Sequence, residues 1–384
     1  MILRTILTIL FFAHIFVIIQ AQSDQCLTDR YADIAVFDST DIVVENNILY
    51  GTSTNLFTNN STNLFLDVWS PDPSIDPLAE RPLILLVHGG SFMAGSRADM
   101  NFFCMEYARR GFVAATISYR LGWGCDPNAG IFTCGICGPL ANNLTTAVYC
   151  AVQDAHAAMR YLVTNSVDFG IDTDWIFAGG VSAGSITALG LSFTDQAEAN
   201  TYFANSVALA GNIDDAGNEL TADFQIKGVV NDCGAVFNAN LIQANENIPV
   251  ISFHDDLDCV VPYNTGNVLS CLGCNAFPVV SGSAVINTRL NQLGICSELN
   301  TRQLSLNHCS WPALNIVRRS SCFLKRIMCG VCTSSANNDI NSSSPCALLG
   351  IEEEGACASD LNNDGLVNSG DLLILLSEYG IICQ

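Results

Sequence analysis

The stretch Pro82-Leu83-Ile84-Leu85-Leu86-Val87 sets six apolar residues in a row with no polar interruption. A half-buried strand alternates apolar and polar side chains, so an unbroken run of this length suits a strand buried on both faces. Such a sheet needs helices on both sides. Phe112-Val113-Ala114-Ala115-Thr116-Ile117, Trp175-Ile176-Phe177-Ala178, Ser206-Val207-Ala208-Leu209-Ala210 and Val250-Ile251-Ser252-Phe253 read as further strands, with shorter ones at Ile42-Val43-Val44 and residues 64–69. A helical stretch runs from Met100 to Arg110 and stops at Gly111. A longer helix is predicted over residues 143–164, where Val148, Val152, Ala155, Met159 and Leu162 recur at three- and four-residue steps. This alternation predicts an α/β fold with a mostly parallel, doubly wound sheet and helices on both faces. Two polar inserts, residues 122–141 and 211–245, interrupt it. In such sheets these loops lie over the carboxyl ends of the strands and shape a ligand cleft.

The first residues speak to compartment. Arg4, the apolar run from Ile6 to Ile19 and then Gln20-Ala21-Gln22-Ser23 have the layout of a secretory signal cleaved after Ala21. No later segment is long and apolar enough to span a bilayer. The chain has 18 cysteines, none of them in residues 1–21. In an oxidising compartment that even number reads as several disulfides, and the cysteines at Cys-x-x-Cys spacing, Cys134/Cys137, Cys271/Cys274 and Cys329/Cys332, are expected to have a structural disulfide role rather than a zinc or redox one. Asn59, Asn60, Asn143 and Asn341 stand in glycosylation sequons. A net charge of −22 repels nucleic acid and anionic membrane, which argues against both as partners.

The chemistry centres on Gly180-Val181-Ser182-Ala183-Gly184, set between a strand and a helical pattern. A serine on a tight strand-to-helix turn projects its hydroxyl from the backbone, and glycines on both sides relieve the crowding. The helix that begins there aims its dipole at developing negative charge. His88-Gly89-Gly90-Ser91-Phe92 follows the buried run, and its small residues let N–H groups converge with that of Ala183 on an oxyanion. A serine nucleophile needs a base. Of five histidines, His14 falls in the signal segment, His88 heads the glycine loop and His156 sits on the long helix. His254 and His308 remain, and His308 lies late in the chain, as the order serine, acid, histidine requires.

The segment from His254 to Tyr263 resembles the His-Gly-x-x-Asp-x-x-Val-Pro segment of α/β-hydrolase esterases. That resemblance makes Asp258 the acid that orients His308. Asp255 stands where glycine is usual, and Asp256 is a second neighbouring carboxylate. Leu66-Asp67-Val68, Tyr119-Arg120, Gln153-Asp154 and Phe169-Gly170-Ile171-Asp172 resemble the carboxylesterase, feruloyl-esterase and acetyl-esterase branches of the same family, over residues 40–330. The resemblance implies an α/β-hydrolase fold, a triad of Ser182, Asp258 and His308, and oxyanion donors from Gly90, Ser91 and Ala183. It implies ester chemistry with no cofactor for catalysis. Cys259 follows the acid and Cys309 follows the base, so a Cys259–Cys309 bridge is predicted to pin the two loops together.

After Cys332 the chain becomes rich in Ser and Asn, a linker composition. The expected layout is a signal peptide at 1–21, a catalytic domain at 24–332, a linker at 333–356 and a small calcium-loop module at 357–384. In that tail Asp360, Asn362, Asp364, Asn368 and Asp371 fall at positions 1, 3, 5, 9 and 12 of a calcium loop. Gly365 takes position 6 and Leu366 offers its carbonyl at position 7. This is similar to one dockerin loop, where a dockerin normally has two. Cys357 and Cys383 bracket it and are candidates to staple it. The resemblance implies structural Ca²⁺ and a cohesin-like or cell-surface partner. The expected function is a secreted serine carboxylic ester hydrolase acting on a small-molecule or polysaccharide-linked ester, acetyl or feruloyl. A short-chain lipase or polyester hydrolase, or a catalytically silent binding protein on the same fold, is the alternative.

Overall fold

The computed structural model describes residue 26, residues 28–124, 141–273, 277–340 and residue 346. The calcium-loop residues Asp360, Asn362, Asp364, Leu366, Asn368 and Asp371, the cysteines Cys357 and Cys383, and the signal segment lie outside them.

The strands are β1 (Ile42–Thr54), β2 (Ser61–Pro71), β3 (Arg81–Val87), β4 (Val113–Ile117), β5 (Ile171–Val181), β6 (Ile226–Asp232), β7 (Ala235–Val236), β8 (Val250–Asp255), β9 (Thr265–Asn267), β10 (Val279–Gly282), β11 (Ser297–Arg302) and β12 (Ser335–Asn337). The helices are α1 (Asn101–Ala108), α2 (Ala141–Thr164), α3 (Ser166–Phe169), α4 (Ala183–Phe193), α5 (Gln196–Tyr202), α6 (Ala204–Ala210), α7 (Ser283–Gln292) and α8 (Ala313–Met328). Among the described residues the main sheet runs β1-β2-β4-β3-β5-β6-β8-β11-β12, and β7-β10-β9 form a small second one. β1 pairs antiparallel with β2, and β2 with β4. From β4 onward every pairing in the main sheet is parallel.

β3 shows why its sequence carries no polar break. Leu83, Leu85 and Val87 pack into one core with α2 and α4, while Ile84 and Leu86 pack into another with α1 and α8. Both faces are dry, so both registers of the strand must be apolar. A mostly parallel sheet with this strand order and helices on both faces is an α/β-hydrolase fold, as expected.

Two elements differ from the sequence reading. Residues 206–210 belong to helix α6, not to a strand. Leu209 is 66% exposed and only Ser206 is buried within that helix, so the segment has one wet face and alanines that favour a helix. The missing strand is β6, hidden in the polar insert at 211–245. Lys227, Asn231 and Asp232 broke its apolar run. Asn231 is nevertheless fully buried, because Ser185 Oγ donates to its Oδ1 (2.6 Å) and its Nδ2 donates to Ser252 (2.9 Å) and Ser283 (3.0 Å). A buried amide is tolerated once its donors and acceptors are met, and those partners come from three other elements.

The Tyr119-Arg120 and Gln153-Asp154 motifs form one buried cluster. Asp154 accepts from the Arg120 N–H at 2.7 Å and from its Nε at 2.9 Å, while Arg120 Nη2 donates to Gln153 Oε1 at 2.9 Å. This ties the chain after β4 to α2. Among the described residues, no helix is long and apolar enough to cross a membrane.

Candidate active site

β5 delivers Ser182. The serine has φ +55 and ψ −117, a strained setting for a side chain larger than hydrogen. Its N–H donates to Asp232 O at 2.9 Å, which holds the turn against the end of β6. The flanking glycines are required by space. A Cβ on Gly180 would lie 2.4 Å from the Gly184 carbonyl carbon, and one on Gly184 would lie 2.0 Å from Val87 O. The motif therefore reads as close packing of β3, β5 and α4, with the hydroxyl turned out.

β8 and β11 lie side by side, so the loops after them meet. His308 Nδ1 sits 2.6 Å from Asp258 Oδ2, and His308 Nε2 sits 2.8 Å from Ser182 Oγ. Burial pushes the Asp258 carboxyl up. Hydrogen bonds from His254 and His308, the attraction of the His308 ring when it is protonated and the Val260 N–H outweigh it and hold the group at about 2. An ionised carboxylate only accepts, so Nδ1 carries the proton and Nε2 is free to accept from the serine. The three chosen side chains thus form one hydrogen-bonded row.

The neighbouring carboxylates have separate tasks. Asp255 accepts from the Ser310 N–H (3.0 Å) and hydroxyl (2.5 Å), just past His308. Asp256 accepts from the N–H groups of Leu304 (3.0 Å) and Ser305 (3.1 Å), just before it. Only Asp258 reaches the imidazole. His254 is fully buried, bonded to Ser283 Oγ (2.7 Å) and to Val261 O (3.0 Å), and its Nε2 lies 3.4 Å from Asp258 Oδ2. In the sequence only the four-residue spacing from His254 to Asp258 signals this supporting role. His88 is buried and stacked on Tyr119 at 4.5 Å, the structural part expected of it.

Gly90, Ser91 and Phe92 turn sharply, with φ of +116, +55 and +59. A Cβ on Gly89 would stand 3.3 Å from Ser182 Cβ, so this turn packs directly on the serine. Ser91, Ser182 and Ala183 line one cavity. Its remaining wall is apolar, including Leu144, Val148, Ile186, Phe237, Val268 and Val280. Phe237 comes from the second insert, as expected of a loop shaping the cleft.

The predicted Cys259–Cys309 bridge does not form. Cys309 pairs with Cys233, just after β6, and Cys259 pairs with Cys271. The N–H groups of Val260 (2.8 Å) and Val261 (3.3 Å) both fold inward onto Asp258 Oδ1, and this tight turn directs Cys259 away from His308. Cys309 has φ +50 and faces back to the β6 loop. Cys26–Cys329, Cys296–Cys332 and Cys322–Cys346 complete the disulfides among the described residues, where Cys104 and Cys150 are free and buried. The Cys233–Cys309 bridge closes a long loop and places Cys233 Sγ 3.9 Å from His308 Nε2. Replacing both cysteines by serine is expected to lower stability by about 2–4 kcal/mol and kcat about tenfold through a loosened imidazole. Thermal unfolding and kcat measured together check this, and an unchanged kcat would show that the bridge does not position the base.

Residues 43–217 match the carboxylesterase family profile. The chain is 31% identical over 122 residues to a neuroligin-like protein of Caenorhabditis elegans (32% of this chain, 15% of the relative). It is 30% identical over 115 residues to gut esterase 1 of C. elegans (29% and 18%). It is 26% identical over 184 residues to carboxylesterase 1C of Rattus norvegicus (47% and 30%). The matches therefore span less than a third of each relative's length. Among solved structures, a thermophilic esterase of Thermogutta terrifontis with propionate bound superposes with a TM-score of 0.48 at 17% identity, covering 78% of this chain and 98% of the other.

Proposed function

We propose that this chain is a secreted serine esterase that hydrolyses carboxylic esters with an aliphatic acyl group through an acyl-enzyme. The observation that carries the reading is the unbroken row Ser182 Oγ, His308 Nε2, His308 Nδ1, Asp258 Oδ2. Ser182 attacks the ester carbonyl while His308 takes its proton. The N–H groups of Gly90, Ser91 and Ala183 receive the oxyanion, where each such donor is worth about 3 kcal/mol. His308 then protonates the leaving alkoxide and later draws a proton from the water that clears the acyl group. Ester, water and side chains supply every atom this cycle consumes.

The acyl side is argued from the cavity. Apart from Ser91 and Ser182, the side chains lining it are apolar. An aliphatic chain loses nothing there, whereas the phenol of a feruloyl group would leave water for no partner. Among the polysaccharide esters considered from the sequence, acetyl is the better fit. Disulfide richness supports secretion.

The test is a series of p-nitrophenyl esters from acetate to octanoate, beside methyl ferulate and acetylated xylan. We expect kcat/KM for the best aliphatic ester to exceed that for methyl ferulate by about a hundredfold. Equal rates on ferulate would overturn the acyl assignment. A paraoxon label that mapped by peptide mass to a residue other than Ser182 would overturn the nucleophile.

A further inference from the structure

Three large apolar side chains stand in solvent on the loops that carry the base and the acid. Leu304 is 87% exposed, Leu306 is 76% exposed and Leu257 is 47% exposed. Leu257 immediately precedes Asp258, and Leu306 lies two residues before His308. The loops are joined at this point, since the Leu257 N–H donates to Ser305 O at 3.1 Å. The leucines therefore stand in solvent on two joined loops at the catalytic rim.

The leucines are held outward. Leu304 has φ +54, a region a bulky residue seldom occupies. The Asp256 carboxylate grips the N–H groups of Leu304 and Ser305, and Ser305 is buried between the two exposed leucines. Backbone strain of this kind persists only where its surroundings impose it. Here the outcome is apolar surface facing water, a net cost to the isolated fold.

We infer that this leucine rim docks on the surface of an aggregated neutral acylglycerol, presenting its ester bonds to Ser182. The inference rests on the esterase reading above. Position argues for it, because whatever seats on the rim lies beside the catalytic row. Charge selects its kind: a chain of net charge −22 is repelled by anionic surfaces, which leaves a neutral phase. The cavity selects the acyl group. Cleaving within a polyester chain would drive a further ester or hydroxyl into an apolar wall, whereas a fatty acyl chain has no such group.

The experiment uses the full secreted chain and a Leu304→Ser/Leu306→Ser variant. Rates are measured on p-nitrophenyl butyrate in solution and on tributyrin across its solubility limit. Adsorption is measured by flotation with triolein emulsions coated with phosphatidylcholine or with phosphatidylserine, using Ser182→Ala backgrounds. We expect the parent to gain rate once tributyrin forms droplets and to float with the phosphatidylcholine emulsion. The variant should keep its kcat/KM on the soluble ester within about twofold and lose about tenfold on droplets, with a matching loss of flotation. A variant that keeps its droplet rate, or a parent that does not float, overturns the docking surface. Stronger flotation with phosphatidylserine overturns the neutral assignment. A parent that floats through its leucines yet hydrolyses neither substrate supports the surface and refutes the esterase reading.

Discussion

Replacing Ser182 by alanine is expected to lower kcat on p-nitrophenyl acetate by at least about 10⁴-fold, leaving a slow residual hydrolysis from the oxyanion donors alone. The change removes one oxygen from a buried turn and leaves the Ser182 N–H bond to Asp232 O intact. Thermal stability should stay close to the parent, so lost activity reports chemistry. His308 Nε2 loses its partner but keeps Asp258. Steady-state kinetics together with a paraoxon titration check the outcome. Activity surviving in Ser182→Ala at a tenth of the parent rate would remove the serine from the mechanism.

Asp258→Asn should cost almost as much, about 10⁴-fold in kcat, and for a reason legible in its contacts. Asp258 Oδ1 accepts from the N–H groups of Val260 and Val261, and Oδ2 accepts from His308. In asparagine one of those atoms becomes an NH₂ group. Two backbone donors outcompete one imidazole for the remaining oxygen, so the NH₂ faces His308. The ring must then accept at Nδ1 and carry its proton on Nε2, where it can no longer take one from Ser182. Asp255→Asn and Asp256→Asn, which alter only the loop contacts, should cost far less. If Asp256→Asn proved as damaging as Asp258→Asn, the acid would be wrongly assigned. The pH dependence follows the same group. A carboxyl held at about 2 in the fold and near about 3.9 when unfolded contributes stability above about pH 4. That contribution is lost as pH falls towards 2, so the parent should show an acid-unfolding limb there that Asp258→Asn flattens.

The alternation of buried strands and helices was legible because it depends on solvent exposure alone: β3 and β4 are almost wholly apolar, β5 carries an apolar run from Trp175 to Ala178, β8 opens on Val250 and Ile251, and α2 repeats at helical steps. The serine turn was legible because glycine-x-serine-x-glycine between a strand and a helix is a local pattern; Gly180 is forced by Gly184, four residues on, although Gly184 is forced by Val87 O of β3. β6 was not, since Asn231 is burial-competent only through Ser185, Ser252 and Ser283. The helix at 204–210 was not, since its alanines fit either period and exposure decided between them.

Cysteine pairing and the division of labour among three adjacent carboxylates show the same boundary. Sequence adjacency placed Cys259 near Asp258 and Cys309 near His308, but side chains one residue apart on a tight turn point different ways, and that direction chose Cys271 and Cys233. Residue chemistry and local spacing determined which groups this protein has available: a serine on a tight turn, a late histidine, three adjacent carboxylates and a glycine turn. Which of them touch, which cysteine reaches which, and that three leucines face water beside the imidazole were decided only by the tertiary structure. Those outcomes depend on distances between segments far apart in the chain, which no local pattern encodes.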